Sequence, residues 1–433
     1  MKTTILLAAL LVSHFAFVQT FASPPNVVLI MADDFGYECV GANGGTSYQT
    51  PVLDQMARDG IRFDHCHAQP LCTPTRVQLM TGISNARNYK DFGVLPRSEM
   101  TFGKVFQEAG YATCVAGKWQ LGRQRNSPQH FGFDESCVWQ QSRGRTDKQG
   151  HDTRFANPLL DVNGVPRAFT GGQYGPDVVS DFICDFIGRN QDRPFLVYYP
   201  MILTHCPFSP TPDSADWEAS SRGSKTYKGD PQYFGDMVAY TDKMVGKINT
   251  KLESLGLAEN TLVLFLGDNG TDEPIVSVCN EQRVAGAKGE TIDTGTHVPL
   301  IGTWPSVIAA GQVCDDLIDT TDFFPTIVAA AGVDVPEGLD GRSFLPQLRG
   351  EPGNPRPWIH AWYKPRKKSD LAVWVRTKRF KLYRDGEFFD TRRDPLEKHR
   401  LDPKQLNNDA AGAYEVLSAE LNAGTEKEGS SRN

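Results

Sequence analysis

From Asn26 to about Gly350, short apolar runs alternate with stretches whose apolar residues recur at helical spacing. Asn26–Met31 is almost unbroken in its apolar character, as a strand buried on both faces requires. Val52–Gly60 carries a helical pattern, ends on Gly60 and runs into the short apolar Ile61–Phe63. Phe102–Ala109 reads as a helix stopped by Gly110, with a strand at Tyr111–Ala116 behind it. The same alternation returns in Val178–Ile187, Phe195–Tyr199, Tyr233–Leu255, Leu262–Leu266 and His297–Gly302, and the helix Phe323–Ala331 closes it. Strands alternating with helices predict an α/β fold, with a large, mostly parallel sheet covered by helices on both faces.

Two stretches break the rhythm. Asp134–Asp177 is rich in Gly, Gln, Arg and Asp, with a hairpin-type turn at Asn163-Gly164, and Ser209–Gly229 is rich in Ser, Pro and Asp. Long irregular segments in such folds are functional rims or flexible loops. Gly, Pro, Asn and Arg cluster around Gly350–Pro357 and mark a boundary. Beyond it come Trp358–Tyr363, Leu371–Thr377, Phe380–Arg384, a turn at Asp385-Gly386 and Glu387–Asp390. Asp-Gly between two strands signals a hairpin, so a small C-terminal antiparallel sheet is expected. A helix near Ala411–Leu421 and a frayed, charged tail follow it. The organisation expected is a leader at 1–22, a main domain at 23–355 and a C-terminal subdomain at 356–433.

The leader changes the setting. Lys2 precedes an apolar run from Ile5 to Val18, broken only by Ser13 and His14, and small residues follow at Ala22 and Ser23. That is the form of a secretory signal peptide cleaved after Ala22. The run is shorter than the ~20 residues of a spanning helix, so no membrane insertion is expected. The protein is read as exported, to a periplasm or the exterior. With 52 acidic and 45 basic residues the chain carries a formal charge of −7, which disfavours nucleic acid as a partner. An anionic substrate would be held by local cations. The nine cysteines show no Cys-x-x-Cys pair. Export permits disulfides, but the buried-thiol reading is preferred, with a bridge or two left open.

The candidate chemistry sits at predicted strand ends. Asp33-Asp34 follows the first strand and Asp268-Asn269-Gly270 follows Leu262–Leu266. Ligands collect outside the carboxyl ends of such strands. Carboxylates there can converge on a hard cation, and each cluster taken alone is equally a turn or cap. Cys72-Thr73-Pro74-Thr75-Arg76 lies between them in sequence. Pro74 can open a helix running toward Gly82, which would set residue 72 at a helix N-terminus that favours anionic oxygen. On its own, Cys72 is equally a small buried hydrophobe.

Cys72-Thr73-Pro74-Thr75-Arg76 resembles the Cys-x-Pro-x-Arg signature of the formylglycine-dependent sulfatases of the alkaline phosphatase superfamily. Five further segments resemble that family in order, and together the six span residues 26 to 305. The resemblance implies that a separate maturation enzyme oxidises Cys72 to formylglycine, whose hydrated form is the nucleophile. It implies one Ca²⁺ held by Asp33, Asp34, Asp268, Asn269 and an oxygen of modified residue 72. Arg76 would hold these groups in register. Gly117-Lys118-Trp119-Gln120-Leu121-Gly122 is similar to the family's Gly-Lys-Trp-His-Leu-Gly, so Lys118 would bind the sulfate group and Gln120 replaces the family's histidine. His205, before Cys206-Pro207, is placed as the acid for the leaving oxygen. Lys288 is placed as the second sulfate-binding lysine. His297 stands where the family has Arg and receives no role; the remaining histidines are structural by default, with His151 a weak substrate-contact candidate.

The expected activity is hydrolysis of an O-sulfate ester on a carbohydrate or aryl substrate. Two rivals stand beside it. One is a phosphoester or phosphonate monoester hydrolase on the same fold, disfavoured in its two-zinc form by Asn269, where those enzymes carry His. The other is a catalytically weak sulfated-glycan-binding protein, favoured by Gln120 alone.

Overall fold

The computed structural model describes residues 23–430, so the expected signal peptide lies outside the described residues. Twelve strands precede the C-terminal unit: β1 (Asn26–Ala32), β2 (Ile61–His67), β3 (Ala112–Lys118), β4 (Glu135–Trp139), β5 (Leu159–Val162), β6 (Val165–Ala168), β7 (Phe195–Pro200), β8 (Thr261–Gly267), β9 (Val276–Cys279), β10 (Gln282–Ala285), β11 (His297–Thr303) and β12 (Gln312–Asp319). Ten of them form one sheet in the order β12-β2-β11-β8-β1-β7-β3-β4-β5-β6. Its centre, β8-β1-β7-β3-β4, is parallel throughout. β11 runs antiparallel between β2 and β8, and the β5–β6 hairpin closes one edge.

All seven residues of β1 are buried, and they divide between two cores. Val27, Leu29 and Met31 face one layer, and Val28, Ile30 and Ala32 the other. A strand between two layers must be apolar at every position, which is why it shows no alternation. On the first face lie α2 (Cys72–Thr81), α3 (Phe102–Glu108) and α6 (Phe323–Ala330); on the second lie α1 (Pro51–Asp59), α4 (Gly175–Arg189) and α5 (Phe234–Ser254). α2 ends at Gly82, whose φ of 66° is a left-handed cap that glycine adopts without a Cβ penalty.

The C-terminal sheet is present as β13 (Ile359–Tyr363), β14 (Ala372–Arg376), β15 (Phe380–Tyr383) and β16 (Phe388–Asp390), antiparallel throughout. One face, with α7 (Asn408–Ser430), joins the first core through Trp362, Val375, Leu382 and Leu417. The other packs Tyr363 and Trp374 with Leu71, the neighbour of Cys72.

Several expectations need correcting. Asp134–Asp177 is not wholly irregular, because it holds β4 and the β5–β6 hairpin. Asn163 and Gly164, at φ 50° and 76°, make the left-handed turn that matches the twist of the paired strands. β12 was hidden by Asp315 and Asp316, polar residues tolerated on an edge strand that pairs only with β2. The β9–β10 hairpin, in Val276–Ala285, was also not foreseen. The C-terminal helix runs to Ser430 rather than fraying after Leu421; no proline interrupts it. All nine cysteines are unpaired thiols. No helix among the described residues is long and apolar enough to cross a membrane.

Candidate active site

The parallel centre directs the carboxyl ends of β1, β7, β3 and β8 to one edge, and the loops leaving them are tied together. Asp33 N donates to Leu203 O at 2.8 Å, Thr204 N to Asp33 O at 2.7 Å, and Asp268 N to Ala32 O at 2.9 Å. At the end of β3, Gly117 has a φ of 128°, and a Cβ there would lie 1.9 Å from Pro200 O. Glycine therefore lets β3 and β7 close up just before Lys118.

Residues far apart in sequence meet here. Asp33, Asp34 and Asp268 are fully buried, as is Arg76. Arg76 Nη2 donates to Asp268 Oδ2 at 3.0 Å and Nη1 to Lys118 O at 2.8 Å. Lys118 Nζ bridges both Asp33 oxygens at 3.0 and 2.7 Å. Lys288 Nζ reaches Asp34 Oδ2 at 2.5 Å, and Asp268 Oδ1 accepts from Asp34 N at 3.0 Å. Arg76 is therefore a buried, paired cation.

Three buried carboxylates thus face the buried Arg76 and Lys118 and the part-buried Lys288. For Asp33, burial works upward, but Lys118, Arg76 and Lys288 outweigh it and hold the carboxyl below its usual range. Burial pushes Asp34 and Asp268 up, reinforced by their carboxylate neighbours. For Lys288, burial works downward, yet Asp34 and Asp272 outweigh it and hold the ammonium well above its usual range.

The oxygen donors fit a hard divalent cation. Asn269 donates through Nδ2 to Asp34 Oδ1 at 2.9 Å, while its own Oδ1 is buried and without a hydrogen-bond partner. A buried acceptor without a partner costs about 1–3 kcal/mol, so a ligand role would satisfy it. Ligand atoms of Asp33, Asp268 and residue 72 lie within 4.8 Å of one another. A carboxylate-and-amide set suits Ca²⁺ better than zinc.

Cys72 opens α2 at 2% exposure. Its Sγ lies 2.9 Å from Gln120 Oε1, which also accepts from Thr73 Oγ1 at 3.3 Å. Burial pushes the thiol up, and Asp268 and Asp33 add to this against Lys118. An unmodified Cys72 is therefore a protonated, weak nucleophile at neutral pH. Gln120 adopts a left-handed φ of 50°, uncommon outside glycine, which turns its amide toward residue 72.

His205 Nε2 lies 3.9 Å from Asp34 Oδ2. Burial holds the imidazole well below its usual range, with Lys288, Lys118 and Arg154 acting the same way. Arg154 was missed in the sequence. It is fully buried, stacks 4.2 Å from the Trp139 ring and is clamped by Asp152 at 2.9–3.1 Å. Its Nη1 lies 2.9 Å from His205 Nδ1. A guanidinium has only donors, so Nδ1 accepts and Nε2 carries the ring proton into the site. The Cys206 carbonyl, 2.6 Å from Nδ1, would receive a proton there only in the imidazolium.

His151 pairs with Asp147 at 3.3 Å rather than approaching the cluster. A second group, His65, His67 and His297, lies apart from the site at the ends of β2 and β11. The rings stack, His67 on His297 at 4.9 Å and 28°, and near-parallel imidazoles do not converge their lone pairs on one ion.

A parallel-sheet crevice that gathers carboxylates, an Arg, two Lys and a His around the first residue of a helix defines a hydrolase of anionic esters. The family model described as Sulfatase matches residues 25–333, and the one described as N-sulphoglucosamine sulphohydrolase, C-terminal, matches residues 290–423. Arylsulfatase A from Homo sapiens is 33% identical over 416 residues, covering 86% of this chain and 78% of its own. N-acetylgalactosamine-6-sulfatase from Mus musculus is 33% identical over 366 residues, 76% of this chain and 67% of its own. A solved structure described as a complex with its substrate D-glucosamine-2-N,6-O-disulfate shares the fold at a TM-score of 0.77, with 22% identity over 94% of this chain and 99% of its own. The chain belongs to the sulfatase family and is a sulfuric ester hydrolase.

Proposed function

We propose that this enzyme hydrolyses an O-sulfate ester on a carbohydrate, through a nucleophile made from Cys72 and with one Ca²⁺ bound. The observation that carries this reading is the placement of Cys72 Sγ at the start of α2, beside Gln120 and within reach of the Asp33 and Asp268 carboxylates. A buried, protonated thiol has little to offer there, whereas formylglycine would supply a geminal diol that attacks sulfur and then expels sulfate. Asp33, Asp34, Asp268 and Asn269 would hold Ca²⁺, which when bound adds positive charge opposite the sulfate oxygens. The setting is an exported protein processed after Ala22 and matured by a formylglycine-generating enzyme. The boundary near residue 355 separates the catalytic unit from a C-terminal unit that buttresses it.

The chain's own side chains divide the remaining work. Lys118 and Lys288, held by Asp33 and Asp34, would offer their ammonium groups to the sulfate oxygens and balance their charge. Arg76, held by Asp268 and Lys118 O, fixes the carboxylates against residue 72. His205 presents Nε2–H to the leaving oxygen and, as the imidazolium, protonates it while the S–O bond breaks, leaving a neutral ring; the Lys288 ammonium is the neighbouring donor. Arg154 and the Cys206 carbonyl hold Nδ1, so that Nε2 faces the site.

Removing the acid matters most when the leaving group is poor. His205→Gln is expected to lower kcat on an alkyl or sugar sulfate by about 10²-fold or more, and on a nitrophenyl sulfate far less. Arg154→Met should show the same leaving-group dependence in milder form. Equal losses on both substrates would mean that these residues only support the fold.

Gln120 sets the second step. An amide has no usable pKa, so it orients the remaining hydroxyl of residue 72 but cannot take its proton. Release of sulfate from the enzyme is expected to be slow, giving a burst of alcohol followed by a slower steady state. Gln120→His should raise the steady rate more than the burst. A linear time course, unchanged by this substitution, would show that breakdown of the sulfated enzyme does not limit turnover.

A further inference from the structure

The chain carries net charge −7, yet the loop between β13 and β14 places Lys364, Arg366, Lys367 and Lys368 within five residues. Among the described residues none of these four has a carboxylate partner. That loop stands at the mouth of the active site. Tyr89 Oη donates to Pro365 O at 2.8 Å, and the Arg366 guanidinium lies 4.8 Å from the Phe92 ring centroid. Gly93 N in turn donates to Thr73 Oγ1 at 3.2 Å, one residue from Cys72. Tyr363, at the end of β13, donates to Gly289 O beside Lys288 at 3.2 Å.

A second unneutralised cation occupies the other side. The Arg145 guanidinium lies 4.2 Å from the ring of Tyr227, a half-exposed aromatic. The Tyr227 ring meets that of His205 edge-on at 6.4 Å. Tyr89 and Trp362 belong to the α2 layer, whereas Trp139 and Phe208, which flank the two loops bearing Arg145 and Tyr227, belong to the α4–α5 layer. The two Arg–aromatic pairs are therefore carried by loops of opposite layers of the fold. Neighbouring cations are already spent: Lys228 is paired with Asp272 at 2.8 Å and Arg222 with Asp147 at 3.3 Å. A guanidinium placed over a ring still has N–H groups to offer a carboxylate or sulfate, in the bidentate geometry that an ammonium lacks.

We propose that the scissile sulfate lies within a polyanionic glycan, with anionic groups of flanking sugars bound by Arg366 on one side and Arg145 on the other. The inference rests on the sulfate-ester reading above and deepens it. A single sulfated sugar reaches residue 72, Lys118 and Lys288 but leaves both guanidiniums without a partner. A chain crossing the mouth satisfies both, so internal positions are substrates as well as chain ends.

Binding tests this without turnover. Full-length protein is titrated calorimetrically with a heparin-derived hexasaccharide and with glucosamine 6-sulfate, at two salt concentrations. The hexasaccharide is expected to bind about tenfold more tightly or better, with a steep salt dependence. Arg366→Ala and Arg145→Ala should each weaken hexasaccharide binding about three- to tenfold and flatten its salt slope by about one unit, with a smaller effect on glucosamine 6-sulfate. Arg366→Lys should restore only part of the loss, because the planar edge is gone. Equal affinity for the two ligands, or equal weakening of both by the substitutions, overturns the proposal. Such a result with sulfate-ester turnover intact would remove this inference alone. Tight hexasaccharide binding, weakened by both substitutions, in matured protein that turns over no sulfate ester would instead remove the catalytic reading and with it the scissile placement, leaving only glycan binding by Arg366 and Arg145.

Discussion

Cys72→Ala is expected to remove turnover on every sulfate ester, lowering kcat by about 10³-fold or more, because the step it supports is covalent. The loss should be confined to chemistry. Residue 72 opens α2 with its side chain buried against Gln120, and no hydrogen bond of the sheet runs through it. Alanine leaves a small cavity there, at a cost of about 1 kcal/mol. Circular dichroism and thermal unfolding should therefore stay close to those of the parent protein, while calcium loses the one ligand that modified residue 72 would supply. A Cys72→Ala protein that keeps a substantial fraction of its activity would show that the nucleophile lies elsewhere.

The second large effect concerns the cation site. Asp268→Ala would take from the fully buried Arg76 its carboxylate partner at 3.0 Å and leave only Asp33 at 4.0 Å, and breaking a buried ion pair costs up to about 3–5 kcal/mol, enough to confuse loss of metal with loss of fold. Asp268→Asn keeps the volume and an acceptor for Arg76 while removing one negative charge. Calcium affinity follows ligand charge, so it should fall about a hundredfold or more, and activity should fall with it and recover only in part at high calcium. Chelation of the parent enzyme should abolish activity, and calcium should restore it. The titration reads binding in unmodified protein, so it stands apart from catalysis. Parent and Asp268→Asn proteins with the same calcium affinity would remove Asp268 from the ligand set.

How much of this was legible in the sequence depended on where each residue sits. β1, β7 and β8 stand out because a strand between two layers is apolar at every position, and the residues just past their ends fall at the crevice by topology. Those ends mark Asp33, Asp34, Asp268 and Asn269 as candidates that also read as turns, and the resemblance of the surrounding segments is what assigns them, and His205, to the site. Lys118 and Asp33, 85 residues apart, pair because β3 and β1 both flank β7. β12 could not be read, since Asp315 and Asp316 mask an edge strand whose polar positions face solvent. Arg154 was illegible for a different reason. Asp152-Thr153-Arg154 looks like any polar loop, and only the return of the chain after β4 brings the guanidinium between Trp139 and His205. The cationic loop at 364–368 was visible as composition, but its position at the mouth follows from Tyr89, Phe92 and Tyr363, none of which carries a sequence signature.

Turnover depends on residue 72 acting as an aldehyde-derived nucleophile. The most direct measurement is made on a series of preparations matured to different extents. Peptide mass spectrometry gives the fraction of chains with formylglycine at residue 72, and release of inorganic sulfate from an aryl sulfate gives the rate of each preparation. The rate should rise in proportion to that fraction and extrapolate to zero where every chain retains the Cys72 thiol. Turnover that is undiminished in preparations containing only the thiol would contradict it.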